Sequence, residues 1–221
     1  MSGSPESYLQ DAGRDDEAGP PVVRPVPPPP PPFPLPPLFG KYSFENLEVH
    51  DPGIQPYLYL HPIYAPHSEG KLSGRPFMKT HMHLVERLAN MLMKGGKFTG
   101  KKSKAIRAVR EAFEELAKQD KQQNPLQLLV NAVENAAPRE EVTRLQFGGI
   151  SVPRAVDASP ARRVNVAVRN LALGAIQASR KNVKPLSACL ASEIALAAKA
   201  DMTSFAVARK EEVERIAQSA R

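Results

Sequence analysis

Apolar residues recur three and four positions apart through most of the second half of the chain. From Met78 they fall at Met82, Val85, Leu88, Ala89, Leu92 and Met93, which predicts a helix with one buried face. Ile106, Val109, Ala112, Phe113 and Leu116 predict a second helix over Ser103 to Lys118. Asn124-Pro125 supplies a capping side chain followed by a ring that needs no amide partner, so a third helix opens there and runs from Leu126 to Ala136 before Pro138. Ser159-Pro160 repeats the device and starts a helix to about Lys181; Lys184-Pro185 breaks the chain. Leu186 to Ala200 and Ser204 to Ala217 complete the helical set. Between the third and fourth helices the period drops to two. Val142 to Val156 reads as two short strands around Gly148-Gly149, because a two-residue primed turn needs positive φ. That turn sets Phe147 opposite Ile150 and Leu145 opposite Val152 on an apolar face, with Arg144, Gln146 and Ser151 on the other. An isolated hairpin is marginal in water, so this one must pack on a body or dock on a partner. The expected fold is mainly α: a bundle of about six helices carrying a protruding two-stranded β-ribbon.

Residues 1–77 follow neither period. Residues 1–40 form an acidic, proline-rich extension whose run Pro25 to Pro37 predicts a polyproline II rod of about 40 Å, at roughly 3.1 Å per residue. Residues 41–77, rich in Tyr, Pro, His and Gly, read as an extended arm lying over something else. The expected organisation is therefore extension 1–40, arm 41–77 and helical domain 78–221 with its ribbon at 142–156.

Charge separates these parts. Residues 76–221 hold 25 Lys and Arg against 14 Asp and Glu, a net +11, while the rest of the chain is acidic. The excess sits on the part that folds, which points to a polyanionic partner, nucleic acid before an acidic membrane surface. One cysteine, Cys189 in an apolar run, excludes an internal disulfide framework and reads as small core filler in a reducing compartment. No window is apolar enough for a membrane span, and the acidic N-terminus resembles neither a secretory signal nor a transit peptide, so the cytosol is the expected location.

Catalytic patterns fail on inspection. Gly95-Gly-Lys-Phe-Thr-Gly-Lys-Lys-Ser103 approaches a phosphate-binding loop, but Lys102 stands where a magnesium-binding hydroxyl is needed, and no strand precedes it. His81 and His83 do not share a helical face, and one cysteine cannot complete a zinc set. Glu114-Glu115 and Glu140-Glu141 read as solvated helix and loop charges. No metal or cofactor is expected. What survives is electrostatic. Lys94, Lys97, Lys101, Lys102, Lys104, Arg107 and Arg110 follow one another with no acid among them, on a glycine-bearing loop and the next helix start. They suit backbone phosphates, whose neutralisation releases counterions. Arg162, Arg163 and Arg169, with Arg144 and Arg154 nearby, form a second cluster; Arg209, Lys210, Arg215 and Arg221 form a third, offset by glutamates.

Five segments then carry a resemblance: Asn90-Met-Leu-Met-Lys-Gly-Gly-Lys97, Gly100-Lys-Lys-Ser-Lys-Ala105, Asn124-Pro-Leu-Gln-Leu-Leu-Val-Asn-Ala132, Pro138-Arg-Glu-Glu-Val-Thr-Arg144 and Ala155-Val-Asp-Ala-Ser-Pro-Ala-Arg-Arg-Val-Asn165. In that order they resemble the universal small-subunit ribosomal protein S-seven family in its eukaryotic and archaeal cytosolic form. The likeness spans about Leu38 to Arg221. It implies a structural, non-enzymatic protein without cofactors that binds small-subunit rRNA in the 3′ domain and supports assembly of the subunit head. It further implies neighbouring small-subunit proteins as partners, no membrane, no homo-oligomer, and a cytosolic ribosome with nucleolar assembly if the source is eukaryotic. Carried over by residue, Lys94 to Arg110 would hold rRNA phosphates and Arg144, Arg154, Arg162 and Arg163 would act at the ribbon and its base. Phe147, Gly148, Gly149, Ile150 and Arg221 would lie near exit-site tRNA and mRNA. Many eukaryotic relatives carry more arginine at the ribbon tip than Leu145 to Pro153 does, so shape, backbone and stacking contacts are expected there. Two other readings stay open on the residues alone: a polyproline adaptor with a basic helical domain, and a nucleotide-dependent enzyme resting on the near-match at Gly95 to Ser103.

Overall fold

The computed structural model describes residues 36–72, 74–95, 98–120 and 123–221, with the Phe147 side chain left aside. Lys97 and all of the proline run except Pro36 and Pro37 lie outside the described residues. From residue 36 onward the described residues form one compact unit. Its α-helices are α1 (Leu84–Leu92), α2 (Lys102–Gln119), α3 (Pro125–Ala136), α4 (Pro160–Ser179), α5 (Leu186–Ala198) and α6 (Phe205–Ser219). An antiparallel pair, β1 (Glu140–Phe147) and β2 (Ile150–Asp157), separates α3 from α4. The mainly helical fold with a two-stranded ribbon is the one the periodicity predicts.

Helix α5 is the centre. It packs against α2, α3 and α4, and buries Leu186, Cys189, Leu190, Ala191, Ile194 and Ala197. A helix apolar on nearly every side is stable only when surrounded, and α5 is. Helix α4 joins α1 and α6 to this core. It crosses α5 and α6 closely at Gly174, where an added Cβ would stand 2.9 Å from the Glu193 carboxyl carbon and 3.0 Å from the Phe205 Cβ. Cys189 is buried as filler.

Three local expectations need correction. The predicted first helix does not start at Met78: Met78–His81 form a 3-10 turn and α1 begins at Leu84. The reason is His83, extended at ψ 138°, whose Nδ1 accepts the Val85 N–H at 3.2 Å and so caps α1, while the Leu84 N–H is drawn to the Tyr59 carbonyl. Ser159 precedes α4 as expected but makes no side-chain cap; its carbonyl accepts from Arg162 and Arg163, and Pro160 at the first position sets the start. Glu140 and Glu141 are strand residues, and with Glu114 they are ion-paired, to Arg221, Arg162 and Lys41, instead of free solvated charges.

The aperiodic stretch before α1 covers helices of its own chain. Leu38, Tyr42, Ile54 and Leu58 are core residues, and Phe39 and Tyr42 meet Phe113 of α2 edge-to-face. Hydrogen bonds fix the path: Gln127 of α3 exchanges bonds with the Glu48 backbone, and the Glu134 carboxylate accepts from the His50 and Asp51 amides.

Candidate nucleic-acid interface

The ribbon keeps its predicted register, with Phe147 paired to Ile150 and Leu145 to Val152. Gly148 and Gly149 have φ of 54° and 90°, and a Cβ at either would meet nothing, so backbone conformation and not space selects glycine here. Helix α6 holds the base. The Ala155 N–H donates to the Ala220 carbonyl, the Arg139 N–H donates to the Glu214 carboxylate at 2.9 Å, and Arg221 pairs with Glu140. Towards the tip this face is bare: Ile150 and Val152 are exposed, and on the same face exposed Arg154 separates them from exposed Val156 at the base. Arg144 is exposed on the opposite face.

The cations of the loop and α2 divide into two groups. Lys94, Lys101, Lys104 and Arg107 are exposed and make no ion pair among the described residues. Lys104 lies 5.1 Å from the Phe98 ring centroid. Arg110 is exposed and shares Glu114 with Lys41. Lys102 differs: its Nζ donates to Glu86 Oε1 at 2.5 Å, and Glu86 also accepts from the Ser68 N–H and hydroxyl. Burial pushes the Glu86 carboxyl up, but these donors outweigh it and leave it below its ordinary value.

Helix α2 therefore starts with no acid in its first turn and no side-chain cap. Lysines at the positive end of a helix are unfavourable for the isolated fold, and its free N–H groups attract an anion.

The second cluster splits as well. Arg162 binds Glu141 at 2.5 Å but keeps 63% of its side chain in solvent. Arg163 is 12% exposed and bonds Asp51 at 2.7 Å, tying α4 to the arm. Asp51 is raised by burial, yet the Arg163 and Gly53 hydrogen bonds and the charges of Arg163 and Arg139 hold it below its usual value. Arg169, by contrast, makes no ion pair among the described residues and faces a groove between α4 and α1. Sequence reasoning gave no role to Phe77, Lys79 or Arg87, which line the same groove. Only Arg87 carried a signal, as a cation inside the apolar stripe of α1.

Comparison with known proteins places this arrangement. Residues 61–221 match the family model "Ribosomal protein S7p/S5e". The chain belongs to that family. Curated S7p/S5e relatives named small ribosomal subunit protein uS7 are 53% identical in Thermoplasma volcanium, over 83% of this chain and all of that protein, and 50% identical in Archaeoglobus fulgidus, over 83% and 94%. The Picrophilus torridus protein of the same name is 47% identical over 83% and 98%. In this S7p/S5e chain no group of His, Cys, Asp or Glu among the described residues is placed to hold a metal ion. No described helix is long and apolar enough to cross a membrane.

Proposed function

We propose that the chain is a structural protein of the small ribosomal subunit in the cytosol that binds small-subunit rRNA of the 3′ domain, supports assembly of the head, and presents its ribbon to exit-site tRNA and mRNA. The names of its relatives support the subunit. The observation that carries RNA binding is the set of exposed cations without ion-pair partners among the described residues, Lys94, Lys101, Lys104 and Arg107, at the uncapped start of α2. Arg110, Arg144, Arg154 and Arg162 extend the positive surface, and Lys97 continues it in sequence. Lys102 and Arg163 act indirectly, by fixing the arm through Glu86 and Asp51. The partners are rRNA and neighbouring small-subunit proteins; assembly is nucleolar if the source is eukaryotic. The tip at Gly148, Gly149 and Ile150, with Phe147 beside it in sequence and Arg221 at the base, offers backbone and apolar surface in place of charge. Its affinity for tRNA or mRNA is thus low without the rRNA anchor.

Replacing Lys101 and Lys104 by glutamate weakens binding of the full chain to a 3′-domain rRNA transcript and lowers the slope of log K against log salt by about one for each phosphate no longer neutralised. Filter binding across a salt series reads both. An unchanged slope removes the phosphate role of this helix start. Absence of the expressed protein from small subunits in a magnesium-containing gradient removes the ribosomal reading altogether.

A further inference from the structure

The groove between α1, α4 and the turn at Phe77 is about 750 Å³, within the range of roughly 300–1,000 Å³ that takes a nucleotide-sized ligand. Met91, Val166, Leu173 and Ile176 form an apolar wall. Five cations line it, Lys79, Arg87, Lys94, Arg162 and Arg169, and no carboxylate does among the described residues. Of these only Arg162 has a matching charge among the described residues, Glu141. Phe77 stands at the rim, 84% exposed, with its backbone held at φ 64°, a conformation unfavourable for a bulky residue.

Arg87 is the decisive group. It is 2% exposed, donates from Nη1 to the Tyr57 carbonyl at 3.0 Å and from Nη2 to Asn165 Oδ1 at 2.8 Å, and has no carboxylate partner among the described residues. Burial alone pulls its pKa down to about 10, so it stays charged at neutral pH. Lys79 is lowered too, by burial first and then by Arg87 and Lys94. A buried cation satisfied only by neutral oxygens carries a desolvation penalty that an arriving anion relieves. Positive charge without acids, an apolar wall and a free aromatic face together fit one chemistry, an unstacked base attached to phosphates.

We propose that this groove takes an extruded nucleotide of unpaired RNA, its base against Phe77 and the apolar wall and its phosphates on Lys79, Lys94 and Arg169, with Arg87 supplying the field behind them. The inference rests on the RNA-binding reading above and gives it a second, non-helical element of the ligand.

The test compares the full chain with Phe77→Ala, Phe77→Tyr and Arg169→Gln, all at surface positions, for affinity to three probes: the 3′-domain transcript, an unstructured oligouridine and an A-form RNA duplex. Phe77→Ala weakens oligouridine binding about tenfold, as removal of one stacked base does, with the salt slope unchanged. Phe77→Tyr restores it, Arg169→Gln lowers the slope by about one, and duplex binding is insensitive to Phe77. If Phe77→Ala and Arg169→Gln match the parent while Lys101→Glu/Lys104→Glu weakens the transcript, the groove inference is wrong and RNA binding stands. Equal sensitivity of duplex and single strand to Phe77→Ala also overturns it. Failure of the parent to bind any of the three removes both readings.

Discussion

At the scale of single residues, His83 couples the start of α1 to pH. It is 2% exposed, its Nδ1 caps α1, and its Nε2, which must then hold the proton, has no partner among the described residues. Phe44 packs edge-on against the ring. Burial pulls its pKa from 6.5 down to about 4, with the Glu86 charge opposing only in part. A base depressed in the folded state is neutral in both states above its unfolded pKa, so the ring costs no stability above about pH 6.5. As pH falls from there towards 4 the unfolded chain takes up a proton that the folded one refuses. Stability then drops by about 3 kcal/mol across that window. Urea midpoints measured from pH 8 to 4 check this, and His83→Asn, which keeps a capping acceptor, flattens the curve between 6.5 and 4. Asp51, Glu86 and Glu114, all lowered by their donors, lose their contributions further down, as they protonate.

At the scale of elements, the ribbon is held at one end only. Its base is fastened by Ala155 to Ala220, by Arg139 to Glu214 and by Arg221 to Glu140, while a Cβ added at either tip glycine would meet nothing. Its twist and register are local properties of the strand pattern and the glycine pair, but its direction depends on α6. Removing Ala220 and Arg221 should therefore raise hydrogen exchange at the Ala155 amide and loosen the ribbon base, with global stability changed by no more than about 0.5 kcal/mol, as for surface changes generally. A complete absence of cooperative unfolding in that truncated chain would show that the α6 terminus belongs to the core. The exposed apolar face of Ile150, Val152 and Val156 follows from the same geometry, since a hairpin that reaches outward leaves both faces wet.

At the scale of the whole molecule, the arm before α1 and the helices stabilise one another. Phe113 is buried where Phe39 and Tyr42 meet it, so the arm, α2 and the core converge on one side chain. Phe113→Ala should cost about 3–5 kcal/mol, as for aromatic truncation in a closed core, and should release the arm in the same transition. Limited proteolysis followed with thermal unfolding checks both; cleavage within residues 41–77 well below the melting temperature would mean that the arm is a separate unit. The helices, the ribbon register and the α3 cap were legible in the sequence because each depends on neighbours within about five positions: apolar spacing, Asn124-Pro125, Gly148-Gly149. The ordered family segments were legible for the same reason, each being a local string. What depended on partners far along the chain was not. Nothing near Arg163 in the chain foretells Asp51, nor does anything beside Lys41 foretell Glu114. The sequence by itself determined the elements, the sign of the surface and the family. Tertiary structure decided which cations are neutralised by internal carboxylates, as Arg163 and Lys102 are, and which remain available to a polyanion, because ion pairing depends on distance in space and the chain records only order.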